Sequence, residues 1–156
     1  MKQRIRLKSW RSSGEFILVL PQRGIGPDGI AMPKQWPVYV VDRLRKITRR
    51  PIRVRPHPGK EKKELSPDFI NCWAAVTWGS GAAIKAIVSG IPAFHEFDRW
   101  IGSPAAKLGI ADIELPFLGD REPTLNRLAW AQWSQDEVAS GEPFQRLLNG
   151  EKYESP

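Results

Sequence analysis

Thr77-Trp78-Gly79-Ser80-Gly81-Ala82-Ala83-Ile84-Lys85-Ala86-Ile87-Val88-Ser89-Gly90 is the stretch whose reading decides the fold. An apolar run from Asn71 to Trp78 feeds it and predicts a buried strand. Ser80 to Ser89 carries small residues and isoleucines and predicts a helix, with Gly90 in the usual place after a helix end. A strand, a Gly-Ser-Gly turn and a helix form the core of a βαβ unit. Glycines at the turn let backbone N–H groups approach a ligand, and the helix start adds unpaired donors and a positive partial charge. Thr77, Gly79, Ser80 and Gly81 are therefore candidate phosphate-binding residues, with Lys85 one turn into the helix. The spacing is neither a Walker A loop nor a GxGxxG fingerprint, and it is not a Gly-x-Ser-x-Gly nucleophile elbow. A tight turn packed through Ala82, Ala83 and Ala86 accounts for the same residues, and both readings stand at this level.

Working outward, the same alternation recurs. Glu15-Phe-Ile-Leu-Val-Leu20 is an apolar run bounded by Gly14 and Pro21, the pattern of a buried parallel strand. Gln22 to Met32 holds Gly24, Gly26, Pro27 and Gly29 and reads as a loop. Pro33 to Thr48 places Trp36, Val40, Leu44 and Ile47 three to four residues apart, so it reads as a helix. Ile52 and Val54 make a short strand ended by Pro56 and Pro58, and Ile91 to Phe94 makes another. Ser66-Pro67-Asp68 marks a short turn. Residues 98–118 are mixed, with Ile113, Leu115 and Phe117 in an extended pattern. Pro123 to Leu148 is helical, with a break near Ser140-Gly141. The expected fold is α/β: a single Rossmann-like three-layer domain over residues 14–148, with a mostly parallel sheet and a helical C-terminal segment. A basic arm, residues 1–13, precedes it, and a polar tail, residues 149–156, follows. In such sheets ligands sit beyond the C-terminal ends of the strands, here the loops after Leu20, Val54, Thr77 and Phe94.

Composition narrows the function classes. The chain has 156 residues, 41% hydrophobic and 26% charged, the balance of a globular domain. Apolar runs are too short for a bilayer span, and the basic start lacks the apolar core of a signal peptide. The single cysteine, Cys72, cannot form an internal disulfide, so a reducing cytoplasm is the expected setting. Beside Trp73 and Ala74 it reads as a buried small hydrophobe. Residues 1–63 carry a net charge of +13 and residues 64–156 a net charge of −6. The basic part invites an anionic partner, nucleic acid among them, or is a solvated face.

Three further segments end on the expected ligand edge. Arg53-Val-Arg55-Pro-His57-Pro-Gly59 offers guanidinium forks for phosphate oxygens and a histidine pre-positioned by prolines. Pro21-Gln22-Arg23-Gly24 could cradle a diphosphate. Phe94-His-Glu96-Phe-Asp98-Arg-Trp100 offers carboxylates for sugar hydroxyls or acid–base work. His57, Glu96 and Asp98 are the catalytic candidates. No cysteine and histidine cluster has zinc spacing, so no metal is expected. Five of the seven tryptophans lie in apolar surroundings, whereas Trp10, beside Lys8 and Arg11, is the best candidate to stack on a base and equally suits a loosely docked arm.

Taken in order, these segments resemble the C-terminal, nucleotide-sugar-binding half of GT-B glycosyltransferases, in the capsule-polysaccharide and sugar-epimerase-like branches. The resemblance rests on the Pro-Gln-Arg-Gly loop, Arg55-Pro-His57-Pro, Thr77-Trp-Gly-Ser-Gly-Ala82 and Gly90-Ile-Pro-Ala-Phe94, and covers residues 14–100. It implies a donor diphosphate near Gln22, Arg23 and Gly24, with phosphate also at Gly79, Ser80 and Gly81. It also implies that His57 faces the sugar or phosphate and that Glu96 or Asp98 lies near the sugar. The co-substrate would be a nucleotide-sugar, with no other cofactor. Two departures are visible. Lys85 stands where such enzymes often carry a ribose-binding glutamate, and lysine cannot accept those hydrogen bonds. Only one of the two GT-B halves fits in this length, so a second copy, a partner chain or a large acceptor such as DNA would complete the cleft. The alternative is a non-enzymatic module that grips nucleic acid or a protein through Arg4, Arg6, Lys8, Arg11, Arg43, Arg45, Arg49, Arg50, Arg53 and Arg55.

Overall fold

The structure, a computed structural model, describes residues 6–61 and 63–154. The described chain divides into two compact units, with the boundary between Gly119 and Asp120. Arg4 lies outside the described residues.

The first unit is built on a five-stranded, all-parallel sheet. Its strands are β1 (Phe16–Leu20), β2 (Ile52–Val54), β3 (Cys72–Thr77), β4 (Ala93–His95) and β5 (Lys107–Leu108), in the order β2-β1-β3-β4-β5. This is a Rossmann-like α/β architecture, as the alternation of elements predicts. Every residue of β1 is buried, which is what a central strand covered on both faces requires.

Side-chain alternation separates the two faces. Ile17, Val19, Ala74, Val76 and Phe94 cluster with Trp36, Val40 and Leu44 of helix α1 (Trp36–Ile47). The opposite face carries Leu18, Leu20, Ala75, Thr77 and His95 by the two-residue period of a strand. Helix α2 (Gly81–Val88) contacts β3 and β4 and buries Ala83, Ala86 and Ile87. Its residues are absent from the α1-side cluster, so it lies on this second face. The chain steps from β1 to β2 in one direction and from β3 to β4 in the other. With right-handed crossovers, that places the two helices on opposite faces. Trp73 is the extra residue of a bulge, where Cys72 pairs with Phe16 and Ala74 with Ile17.

Element ends differ from the sequence reading for local reasons. Strand β4 starts two residues after Ile91 and ends one residue after Phe94, because Pro92 has no N–H for the ladder and serves only as an acceptor for Ala75 N. His95 is thereby a strand residue. The extended pattern at Ile113, Leu115 and Phe117 is not a strand; the fifth strand is the two-residue β5 before it. Ile110 and Ile113 join the α1-side core instead.

Residues 8–11 are docked. Lys8 N–H donates to Val88 O and Arg11 N–H to Gly90 O, and the Arg11 guanidinium donates to the carbonyls of Phe69 and Cys72. Trp10 donates its indole N–H to Gly119 O and meets Phe117 edge-on, so its ring is engaged within the fold.

The second unit is helical: α3 (Glu122–Trp130), α4 (Gln135–Ala139) and α5 (Glu142–Leu148). Ser134 and Glu137 form a reciprocal capping box at the start of α4. Gly141, with φ +81°, makes the break between α4 and α5 that the Ser-Gly pair predicts. Trp130 packs edge-on against Tyr153. No helix among the described residues is long and apolar enough to cross a membrane.

Cys72 is fully buried, and burial pushes its thiol up to about 12. Only the thiolate is a good nucleophile. Iodoacetamide at pH 8 should therefore leave the native chain unmodified and alkylate it once urea unfolds it. Mass spectrometry checks this, and rapid labelling of the folded chain would contradict the placement.

Candidate functional site

All five strands run parallel, so all end on one edge, and the four loops singled out in the sequence lie along it. The strand order reverses between β1 and β3, the switch point at which doubly wound sheets leave a crevice. The loops that flank this point are Pro21–Gln35 and the turn 78–80.

Thr77 builds the floor. Fully buried at the end of β3, its hydroxyl donates to Leu20 O at 3.1 Å and accepts from Ser80 N–H at 2.9 Å. One side chain thus ties β1, β3 and the turn together. Ser80 caps α2 by accepting from Ala82 N–H at 3.1 Å, and its carbonyl accepts from Ala83 N–H. Gly81 is the first residue of the helix. Its N–H has no partner among the described residues, and a Cβ built there would meet nothing within 4 Å. Its φ lies outside the left-handed region, so nothing in the fold demands glycine at this position.

Gln22 closes the β1 side. Its Nε2 donates to Gly79 O at 3.3 Å, while its Oε1 is buried with no partner among the described residues. Gly24 is required by the loop itself: its φ is +67°, and a Cβ would press on Met32 O. Trp78 donates its indole N–H to Ile30 O and stacks on Phe97, which holds the long β1 loop against the turn. On the β4 side Gly79 lies against Phe97 and Trp100, and a Cβ there would come within 3.2 Å of Trp100 Cδ1.

His95 pairs in register with Thr77, is fully buried, and tilts against Trp100 with ring centroids 5.1 Å apart. Its Nδ1 lies 2.8 Å from Phe97 O. A carbonyl oxygen only accepts, so Nδ1 carries the proton and Nε2 keeps its lone pair. Neither His95 Nε2 nor Trp100 Nε1 has a partner among the described residues. Such atoms are uncommon in folded chains, and three of them gather around one turn. Neither His95 nor Trp100 was among the expected site residues. With the strand expected to end at Phe94, His95 fell into a loop, where its burial was not legible.

Burial holds the His95 imidazole below the ordinary histidine range, partly countered by Phe97 O and Asp98. The unfolded chain therefore binds this proton more readily. The stability from neutral His95 is fully present above about pH 6.5, the ordinary histidine value. It is lost as pH falls toward the folded-state value. Urea midpoints should be lower at pH 5.5 than at pH 7.5, with the difference reduced in His95→Asn. An unchanged pH dependence in that variant would contradict the assignment.

The remaining candidates are placed less centrally. Glu96 accepts Trp36 Nε1–H at 2.7 Å and Arg43 Nη1–H at 2.6 Å, so both its oxygens are engaged in holding α1 to the end of β4. Asp98 is exposed, with Arg99 Nε 3.9 Å away. Arg55 pairs with Asp68 at 2.5 Å and donates to the carbonyls of Lys63 and Glu64, so it braces the loop after β2. His57 is exposed, and its Nδ1 accepts from Gly59 N–H at 3.0 Å, which leaves Nε2–H as a donor. No hydrogen bond or ion pair among the described residues joins His57 to the 77–80 turn. Arg23 and Lys85 are exposed.

The basic face is largely occupied within the protein. Arg50 pairs with Glu114 and donates to Gly14 O, lying 4.1 Å over Trp73. Arg53 lies 3.8 Å over Phe16. Arg45 reaches Asp42 at 3.4 Å. Two surface concavities, of about 440 and 570 Å³, lie at the opposite edge, where β1 begins, with Arg11 and Arg50 in their walls. Both arginines are already engaged there.

No family model, curated protein or solved structure matches the chain.

Proposed function

We propose that the chain binds a nucleotide-sugar or a related organic phosphate at the C-terminal edge of its sheet, as the half of a GT-B glycosyltransferase that it resembles. The observation that supports this most is the 77–81 turn. It brings an unpartnered N–H and an unneeded glycine at the start of α2 near three buried polar atoms with no partner among the described residues. An anionic oxygen at Gly81 would satisfy the free donor and gain from the helix dipole. Arg23 and Lys85 would add charge, and His57 Nε2–H would donate from the neighbouring loop.

With Glu96 engaged by Arg43 and Trp36, the acid–base role on this reading falls to Asp98. Transfer would proceed by electrostatic stabilisation of the leaving diphosphate. A second copy or a partner chain would supply the facing wall of the cleft.

A thermal-shift screen tests the reading with UDP, GDP, CMP, ADP and their sugars, and with a short duplex DNA, at low and high salt. A ligand that binds the native state raises the melting temperature by mass action. The expected result is a salt-tolerant shift with one nucleotide, diminished in Ser80→Ala. A shift with DNA alone that vanishes at high salt would favour a nucleic-acid-binding module instead.

A further inference from the structure

We infer that His95 Nε2 and Trp100 Nε1 together hold one hydroxyl group in a recess behind the 77–80 turn, His95 accepting its proton and Trp100 donating to its oxygen. Where that hydroxyl belongs to a ligand, the inference rests on the phosphate-ligand reading. Where it belongs to a water molecule, it does not.

The argument starts from the polarity of the two groups. The Phe97 carbonyl takes the Nδ1 proton of His95, so Nε2 can only accept. An indole N–H can only donate. The ring centroids are 5.1 Å apart, and both nitrogens are buried without a partner among the described residues. The polar groups beside them are engaged elsewhere, except Gln22 Oε1 on the far side of Gly79, which can only accept: Thr77 Oγ1 already donates and accepts, and Phe97 O receives His95 Nδ1 and Trp100 N–H. One lone pair and one N–H on neighbouring rings match a group that both donates and accepts. A hydroxyl does both. An ionised phosphate or carboxylate oxygen would leave Nε2 unpaired, and an ammonium would leave the indole unpaired.

The indole also adjoins the proposed phosphate position. Trp100 Cδ1, bonded to Nε1, lies against Gly79, close enough that a Cβ there would come within 3.2 Å of it. The six-membered edge of the same ring rests on Gly102 and Ile84, which fixes its orientation. A ligand with phosphate at Gly81 and a hydroxyl on the adjoining carbon framework suits this arrangement, and inorganic phosphate satisfies only half of it.

NMR of the full 15N-labelled chain tests this with two probes, inorganic phosphate and glucose 1-phosphate. His95→Asn and Trp100→Phe assign the side-chain signals; asparagine keeps a donor for Phe97 O but has no acceptor at the place of Nε2, and phenylalanine removes the indole N–H together with one of the two fused rings. The expected signature is an upfield displacement of His95 Nε2 from the unbonded lone-pair position, together with a protected Trp100 indole proton. If water supplies the hydroxyl, both features are present in the free chain, with a cross-peak from the indole to water. If the ligand supplies it, they appear with glucose 1-phosphate and not with inorganic phosphate. In that case glucose 1-phosphate binds about tenfold tighter than inorganic phosphate, a preference that Trp100→Phe reduces to less than about threefold. An unbonded Nε2 signal in all three states overturns the inference. The bonded signature in the free chain with no binding of either probe would keep the recess and sink the phosphate reading.

Discussion

Gly81→Asp is expected to weaken binding of the phosphate ligand by about 10- to 100-fold while leaving the fold intact or slightly more stable. The space around Gly81 is open, its backbone is one that any residue can adopt, and it begins α2. An aspartate in the first turn interacts favourably with the helix dipole, by about 0.3–1 kcal/mol. The same carboxylate would stand where the ligand's anionic group approaches. Like charges about 4 Å apart repel by roughly 1 kcal/mol in water and about 4 kcal/mol at a partly shielded site, and the expected 10- to 100-fold, about 1.4–2.7 kcal/mol, lies between these limits. Calorimetric titration and urea unfolding of one sample separate the two effects. Unchanged affinity would remove the ligand from the start of α2. A collapse in stability would mean that Gly81 is structural after all.

A loss of about 2–5 kcal/mol is expected for Gly90→Ala, the largest stability effect at any glycine considered. Gly90 has φ +81°, and a Cβ there would run into the backbone of Ser9 and Lys8. A left-handed alanine costs about 1–2 kcal/mol, and forcing apart packed groups costs a further 1–3 kcal/mol or so. The neighbour that must give is backbone, held by Lys8 N–H on Val88 O and Arg11 N–H on Gly90 O. Urea unfolding checks this. A loss of no more than about 1–2 kcal/mol with no sign of a displaced segment, the cost of the left-handed conformation alone, would mean that residues 8–11 do not sit across the end of α2.

That contact also shows what a sequence can and cannot disclose. Gly90 was legible as a helix terminator, because a glycine after an apolar helical stretch has a local meaning. Its second role, passing the N-terminal segment across the helix end, depends on residues some eighty positions away. The same division runs through the site. Strand β1, the turn 77–81 and helix α2 were legible because continuous apolar runs and Gly-Ser-Gly punctuation are local signals, and the parallel order followed from their alternation. Strand β5 was not, since two residues, Lys107 and Leu108, carry no periodicity.

Long-range pairing explains the other misses. Arg55 with Asp68, Arg50 with Glu114 and Arg43 with Glu96 each join residues far apart in the chain. A segment rich in arginine therefore looked like an open basic face, although the fold supplies several of its counter-charges. Glu96 looked free for chemistry because neither Trp36 nor Arg43 is near it in sequence. His95 was passed over for the opposite reason. Its neighbours Glu96 and Asp98 drew attention to charge, whereas its own environment is set by Trp100 and by the register with Thr77.

The most direct test of the central claim is amide chemical-shift mapping of the whole 15N-labelled chain, titrated with the nucleotide diphosphate that gives the largest thermal shift, or with UDP if none does. The account predicts saturable changes centred on Ser80, Gly81 and Ala82, with smaller ones at Gln22 and Arg23, and none at the opposite edge around Gly14 and Arg50. Changes confined to that opposite edge, or no saturable change at the turn, would contradict a phosphate site at the switch point.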